Sequence, residues 1–155
     1  MLQELKEFVF GKPPLEMDHG FFGKILFMGG EAPADNDYWE SELKIMEAKE
    51  PLTVLINAPK EGPTEKHLAF YENAISDLDV LFNKCWPIFE PDFKQWTNKD
   101  FSGNWKDDFE LMSIEIPRDA DQNNEWTVSY FVDASNHYFT ARFINGEPKF
   151  NEIDG

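Results

Sequence analysis

The sequence contains a single cysteine, Cys85, and only two arginines, Arg118 and Arg142. One cysteine excludes an internal disulfide, which fits a reducing compartment, so the cytoplasm is the expected location. The chain also lacks an apolar run long enough to span a membrane, and its first residues show no basic region followed by an apolar stretch. Neither a membrane segment nor a signal peptide is therefore expected.

Basic residues are scarce: the sequence has 14 lysines and arginines against 30 aspartates and glutamates, a formal net charge of −16. Such a field repels phosphate backbones and anionic lipids, so nucleic acid and membrane surfaces are not expected partners. The same field attracts cationic proteins. The competing interpretation is that the acidity only keeps the protein soluble.

Recognised catalytic and metal motifs are also missing, including zinc-ligand pairs, a nucleophile elbow, a phosphate loop and a dinucleotide fingerprint. Asp119–Glu125 resembles the start of a calcium loop, but Asn124 replaces the turning glycine and Tyr130 the terminal glutamate. A solvated turn is predicted there. Cys85 falls on an apolar stripe, where cysteine behaves as a small hydrophobe. We predict no catalytic residue, metal or cofactor, and the absence of motifs favours a non-enzyme over an enzyme.

Large apolar side chains are abundant, with 41% hydrophobic residues and 15 Phe, 5 Trp and 4 Tyr in 155 positions. A chain of this length and composition can bury one core, so a single domain over residues 1–155 is predicted. Alternation and turn signals predict the following strands: Phe8–Phe10, Leu15–Met17, Phe21–Met28, Trp39–Ile45, Leu52–Ile56, Leu111–Ile116, Trp126–Val132, Tyr138–Ile144, and an edge segment from Pro148 through Ile153. Asn145-Gly146 is the strongest tight-turn signal.

One long helix is predicted over residues 64–85, with Thr64 as its N-cap. Its apolar stripe comprises Leu68, Tyr71, Ile75, Leu78, Phe82 and Cys85. Trp86-Pro87 should end or kink this helix, and a second short helix should follow Pro91. The expected fold class is α+β, with a mainly antiparallel sheet and both helices packed on one face.

The segment from Trp86 to Phe109 carries seven aromatic rings interleaved with aspartates. Rings inside an acidic rim suit a binding surface for a cationic protein. A satellite core packed under a long connection is the favoured alternative, because so many exposed rings would promote aggregation. Trp105 is the ring most expected to be exposed.

The C-terminal third resembles small uncharacterised acidic bacterial proteins that are sometimes encoded beside toxins as their immunity partners. The resemblance is carried by Trp105, Phe109–Pro117, Trp126–Tyr130, Phe143–Pro148 and Ile153–Gly155. It implies kinship of fold and an inhibitor-like binding role, without an active site.

The leading hypothesis is a cytoplasmic protein-binding module that captures a cationic protein and neutralises a basic toxin. Acidic loops around Glu31–Glu42 and Asp107–Glu125 are predicted to form the contact surface. The candidate contact residues are Trp105, Asp107, Asp108, Asp119, Asp121, Glu125, Asp35 and Asp37. One alternative is a small enzyme or ligand-binding domain, with His19 or His137 beside carboxylates in a pocket between helix and sheet. The other is a structural protein. The sequence predicts no oligomeric state.

Overall fold

The computed structural model describes residues 15–45 and 48–155, which form eight strands and three helices. The predicted strand Phe8–Phe10 lies outside the described residues. The strands are β1 (Glu16–His19), β2 (Gly23–Met28), β3 (Tyr38–Leu43), β4 (Leu52–Asn57), β5 (Glu110–Ile116), β6 (Trp126–Val132), β7 (His137–Ile144) and β8 (Glu147–Asp154). The helices are α1 (Glu65–Ile75), α2 (Leu78–Thr97) and α3 (Trp105–Asp108). Within the described ranges, every helix is too short or too polar to cross a membrane.

All eight strands lie side by side in one sheet, in the order of the chain. Every neighbouring pair is antiparallel except β4 and β5, which are parallel. A parallel pair needs a crossover connection, and the three helices between β4 and β5 provide it. Two four-stranded meanders are thus joined through the helices, which confirms the α+β class with a mainly antiparallel sheet.

Strands β2 to β7 have a buried face and a half-buried or exposed face, as their sequences predict, whereas the edge strands β1 and β8 have no buried residue. In β4, Leu52, Val54 and Ile56 are fully buried, whereas Thr53 and Leu55 point to the opposite face. Side chains alternate across a strand, so this pattern places the core on the side of the helices. The hydrophobic side chains buried there form one cluster.

The tight turn between β7 and β8 is confirmed. Asn145 and Gly146 both have positive φ, 53° and 78°. A two-residue hairpin loop of this kind matches the right-handed twist of its strands, and Asn-Gly adopts it at low cost. β8 is the last strand in the sheet order, as the proline at position 148 suggested.

The predicted helix over residues 64–85 is wrong in its extent, because the chain forms α1 and α2 with a break at Ser76 and Asp77. The Asp77 carboxylate accepts hydrogen bonds from the N–H groups of Asp79 and Val80, both at 3.1 Å. It therefore caps a new helix inside what looked like one stripe. Part of the stripe is buried as predicted, namely Tyr71, Phe82 and Cys85, while Leu68, Ile75 and Leu78 are only partly buried.

The predicted end at Trp86-Pro87 and the separate short helix after Pro91 are also wrong, because α2 continues through both prolines to Thr97. Both prolines are exposed and lie four residues apart, so they share the solvent face of the helix. Each proline leaves the carbonyl group four residues earlier, of Asn83 or Pro87, without its helical donor. Both of these residues are exposed, so their carbonyl groups can accept hydrogen bonds from water. The opposite face of α2 remains an uninterrupted apolar surface.

Candidate functional site

The predicted contact residues lie at two separate ends of the sheet. Asp107 and Asp108 belong to α3, directly before β5, whereas Asp119 and Asp121 follow the end of β5. A seven-residue strand spans about 20 Å at roughly 3.3 Å per residue, so these two pairs do not form one patch. Glu125, directly before β6, lies at the same end as Asp119.

The expectation that Trp105 is exposed is wrong. Its side chain is only 7% exposed and stacks on Phe82 with the ring centroids 5.3 Å apart. The indole N–H donates a hydrogen bond to the Asp79 carboxylate at 2.7 Å. The short helix α3, capped by Asn104, turns this ring inward. Six of the seven rings of the segment belong to the main core cluster or pack against it, which favours the core interpretation, although the cluster is the main core rather than a satellite. The seventh ring, Trp96, is 45% exposed.

Asp35 and Asp37 lie in a loop that Arg118 holds in place. The guanidinium donates hydrogen bonds to the carbonyl oxygens of Ala34, Asp35 and Asp37 at 3.1 to 3.2 Å. The Asp37 carboxylate accepts from the N–H of Ala34 at 3.0 Å, and Asp37 is only 3% exposed. Asp37 therefore builds the loop instead of offering its carboxylate to a partner, while Asp35 remains exposed.

Asp119 and Asp121 stabilise their own turn. Asp119 accepts from the N–H of Asp121 at 3.1 Å and from the Asn124 side-chain amide, and Asp121 accepts from the N–H of Asn123 at 2.9 Å. Such local bonds are typical of turns and support the solvated-turn interpretation over a calcium loop. Among residues 15–45 and 48–155, no three His, Cys, Asp or Glu side chains are grouped to hold a metal ion.

The sheet face opposite the helices carries an arrangement that the sequence did not predict. Two rows of side chains cross it from β3 to β8, one residue from each strand, and we call them the polar face. The first row is Glu40, Leu55, Glu115, Thr127, Arg142 and Phe150, and the second is Glu42, Thr53, Ser113, Ser129, Thr140 and Glu152. With strands about 4.8 Å apart, each row is about 24 Å long.

Arg142 provides the guanidinium group of the polar face, and this group contacts two carboxylates. Its Nε donates to Glu152 at 2.6 Å, and its Nη1 lies 3.3 Å from a Glu125 oxygen. The hydrogen bond from Arg142 lowers the pKa of Glu152 and raises that of Arg142 itself. Both shifts favour the charged pair.

Glu115 behaves differently from Glu152. Burial raises the pKa of its carboxyl, despite the opposing effects of Arg142 and of a hydrogen bond from Asn57. The pKa of Tyr38 is also raised, first by burial and then by the carboxylates of Glu40 and Glu115. The two rows contain four carboxylate side chains and one guanidinium, namely Glu40, Glu42, Glu115, Glu152 and Arg142. Perturbed groups gathered in this way mark a candidate functional site.

Two exposed aromatic rings lie at the β8 end of the polar face, and one of them, Phe150, is a member of its first row. Phe150 is 58% exposed, and Tyr138 is also exposed and packs against Phe131 with the ring centroids 5.1 Å apart. Exposed rings beside carboxylates provide the contact area that protein interfaces use as anchors. The alternation of apolar and polar residues in β6 and β7 indicates which side chains point away from the core. It does not say which strands are neighbours, and that order creates the rows.

The lining residues of three cavities include neither His19 nor His137, and the largest of the three, about 570 Å³, is lined by Trp86, Pro91 and Phe101, among others. A cavity of about 90 Å³ between the helices and the sheet is lined by Asp77, Trp126 and Phe143, among others, and has no histidine in its lining. His19 Nδ1 instead accepts from the N–H groups of Phe21 and Phe22. The second histidine of that hypothesis, at position 137, packs its ring against Trp96.

Cys85 is fully buried in the core. Burial raises the pKa of its thiol to about 12, so the thiolate needed for nucleophilic attack does not form near neutral pH. This supports its interpretation as a small hydrophobe.

No protein-family model, curated protein or solved structure matches the chain.

Proposed function

We propose that this protein is an acidic binding module that holds a cationic protein partner on its polar face. The observation that carries the proposal is the charge surplus around Arg142, where Glu115 is half-buried and retains a raised carboxyl pKa. A lysine or arginine from a partner, placed beside Glu115, adds positive charge to a face whose two rows hold four carboxylates and one guanidinium. Pairing of this kind offsets part of the cost of removing the carboxylates from water.

The charge of the whole chain supports the same partner class. A net charge of −16 accelerates encounter with cationic proteins and disfavours anionic ones. Phe150 and Tyr138 then provide apolar contact beside the charges. The binding residues proposed here replace the loop surface that includes Trp105 and Asp37, because those two side chains are buried.

The test uses octa-arginine as the cationic probe and two triple variants with the same change in net charge. Glu40, Glu115 and Glu152 become glutamine in the polar-face triple, whereas Glu61, Glu72 and Glu90 become glutamine in the control. The control residues are exposed and lie in the β4–α1 connection and on the helices. We expect the polar-face triple to weaken binding by about tenfold and the control by less than about threefold.

Calorimetry at about 0.05 and 0.5 M NaCl measures both variants, and the affinity of the natural protein should fall as salt rises. Equal losses in the two triples would show that only net charge matters and would reject the polar face as the binding site. Retention of affinity at high salt would reject the electrostatic basis.

The toxin-immunity role is the specific form of this proposal and keeps the cytoplasmic location expected from the sequence. It requires that a gene beside the coding sequence encode a basic toxin. Co-expression with that toxin should restore growth with the natural protein and the control triple, but not with the polar-face triple. Growth arrest with all three proteins would reject the immunity role and leave the binding module to be judged by calorimetry.

A further inference from the structure

β8 ends the sheet and has no further neighbour in the described part of the chain. It has eight residues, twice as many as β1 at the opposite edge. A long edge presents unpaired backbone N–H and C=O groups, which can pair with another extended chain.

The hairpin geometry shows which backbone groups are free. A two-residue turn makes its flanking residues, Ile144 and Glu147, a hydrogen-bonded pair, so Arg142 and Thr140 also direct their backbone groups toward β8. The backbone N–H and C=O groups of their partners, Phe150 and Glu152, point toward β7 and pair with it. Because the direction alternates along a strand, the backbone N–H and C=O groups of Asn151 and Ile153 point away from β7, toward the open edge of the sheet.

Two features limit where a chain can be added. Pro148 has no N–H to donate, and the ladder shifts register beside it, between Arg142 and Phe143. Pairing is therefore restricted to the segment from Phe150 to Asp154.

The side chains of β8 determine which kind of chain fits. Glu147, Phe150, Glu152 and Asp154 lie on the same side of the sheet as the polar face. A second copy of β8 would bring these carboxylates against one another, which is unfavourable. A basic strand would place lysines or arginines beside them, and an apolar residue would cover the exposed ring.

We propose that β8 is a docking edge for an extended, basic segment of the partner, which adds to the sheet as a ninth strand. Backbone hydrogen bonds to Asn151 and Ile153 hold the segment, and its basic side chains pair with Glu152 and Asp154 at the β8 end of the polar face. Glu115 lies four strand spacings, about 19 Å, from a ninth strand and is reached by another part of the partner. This inference rests on the proposed function and specifies how the cationic partner is recognised.

The probe is an eight-residue blocked peptide, Thr-Lys-Val-Lys-Thr-Ile-Thr-Lys, in which three lysines and one isoleucine lie on the same face of the strand. Two control peptides carry N-methyl groups on every second backbone nitrogen, one on the odd and one on the even positions. These controls keep the charge and the side chains of the peptide, but each lacks the backbone N–H donors along one of its two edges. We expect the unmodified peptide to bind and to slow hydrogen exchange at the amides of Asn151 and Ile153, and at least one methylated peptide to bind about tenfold more weakly.

Phe150→Thr provides an independent variant, because threonine keeps strand propensity and removes the ring. It should weaken binding of the unmodified peptide about fivefold, whereas Val80→Thr, an exposed apolar position on α2, should leave binding unchanged.

The outcomes separate the two proposals. If all three peptides bind the natural protein equally and none binds the polar-face triple, the proposed function is supported and the addition of a ninth strand is rejected. Binding that is unaffected by the polar-face triple would overturn the proposed function itself. Concentration-dependent dimers of the free protein, with the amides of Asn151 and Ile153 protected, would show that a second copy occupies the edge and would overturn the basic occupant.

Discussion

His67 shows how one buried side chain can join distant parts of the chain. It is 4% exposed, and its Nδ1 accepts a hydrogen bond from the N–H of Thr64 at 3.0 Å. The proton is therefore on Nε2, which donates to the carbonyl oxygens of Asn57 and Arg118 at 3.1 and 2.9 Å. The neutral ring thus connects the end of β4, the start of α1 and the loop after β5.

The stabilisation from His67 should depend on pH. Burial lowers the pKa of the ring below its usual value of about 6.5, against the weaker effects of its carbonyl partners and of Asp119, while Arg118 lowers it further. The unfolded chain then binds the proton more tightly than the folded one. The contribution is complete above pH 6.5 and is lost as the pH falls through that value toward the lowered pKa.

Urea unfolding of the natural protein and of His67→Phe at pH 7.5 and pH 5.5 tests this prediction. Phenylalanine keeps a ring but leaves the N–H and hydroxyl groups of Thr64 and the carbonyl groups of Asn57 and Arg118 without this partner, so we expect a cost of about 1–3 kcal/mol at pH 7.5. The difference between the two proteins should be smaller at pH 5.5. A difference that is equal at both values would contradict the neutral, buried ring.

Trp105 gives a prediction about core packing. Trp105→Ala removes a ring stacked on Phe82 and should lower the free energy of unfolding by about 3–5 kcal/mol. Trp105→Phe keeps a ring but loses the hydrogen bond to Asp79 and should cost about 1–2 kcal/mol. Thermal and urea unfolding measure both variants. An unchanged melting temperature for the alanine variant would mean that this ring is not part of the core.

At the scale of elements, the break between α1 and α2 depends on a cap and not on a loss of apolar periodicity. Asp77 interrupts the helix because its carboxylate bonds to backbone N–H groups that α2 leaves unpaired at its start. Pro87 and Pro91, by contrast, do not end α2, because they lie on its exposed face. Packing of the buried face of α2 in the core thus offsets the two intrahelical hydrogen bonds that the prolines remove.

Asp77→Ala should lower the free energy of unfolding by about 1 kcal/mol, because alanine cannot accept from the N–H groups of Asp79 and Val80. Asp77→Asn, which keeps an acceptor of the same shape, should cost only a few tenths of a kcal/mol. Urea unfolding distinguishes the two. If alanine and asparagine are equally well tolerated, the cap does not stabilise α2.

At the scale of the whole molecule, a net charge of −16 makes the folded chain repel itself. Raising NaCl from about 0.02 to 0.5 M should therefore raise the melting temperature by a few degrees, since salt screens repulsion between exposed charges. The polar-face triple should show a weaker dependence because three of its negative charges are gone. A melting temperature that falls with salt would show that attractive ion pairs such as Arg142–Glu152 outweigh the repulsion.

The sequence by itself determined the local elements. The strands, the Asn145-Gly146 turn and the antiparallel class follow from alternation and turn chemistry, which act between residues close in the chain. The burial of Cys85 follows in the same way from its apolar stripe. The break at Asp77 could not be predicted, because a cap and a continuing stripe have compatible residue patterns there.

Only the tertiary structure decided the candidate site. Glu115 and Arg142 lie in the same row of the polar face because β5, β6 and β7 are neighbours and pair in one register. Glu40 lies in that row because the helical crossover places β4 parallel to β5. Trp105 is buried for a similar reason, since α3 turns it toward Phe82 on α2. Contacts between residues far apart in the chain depend on strand order and on how elements pack, and hydrophobic periodicity carries no information about either.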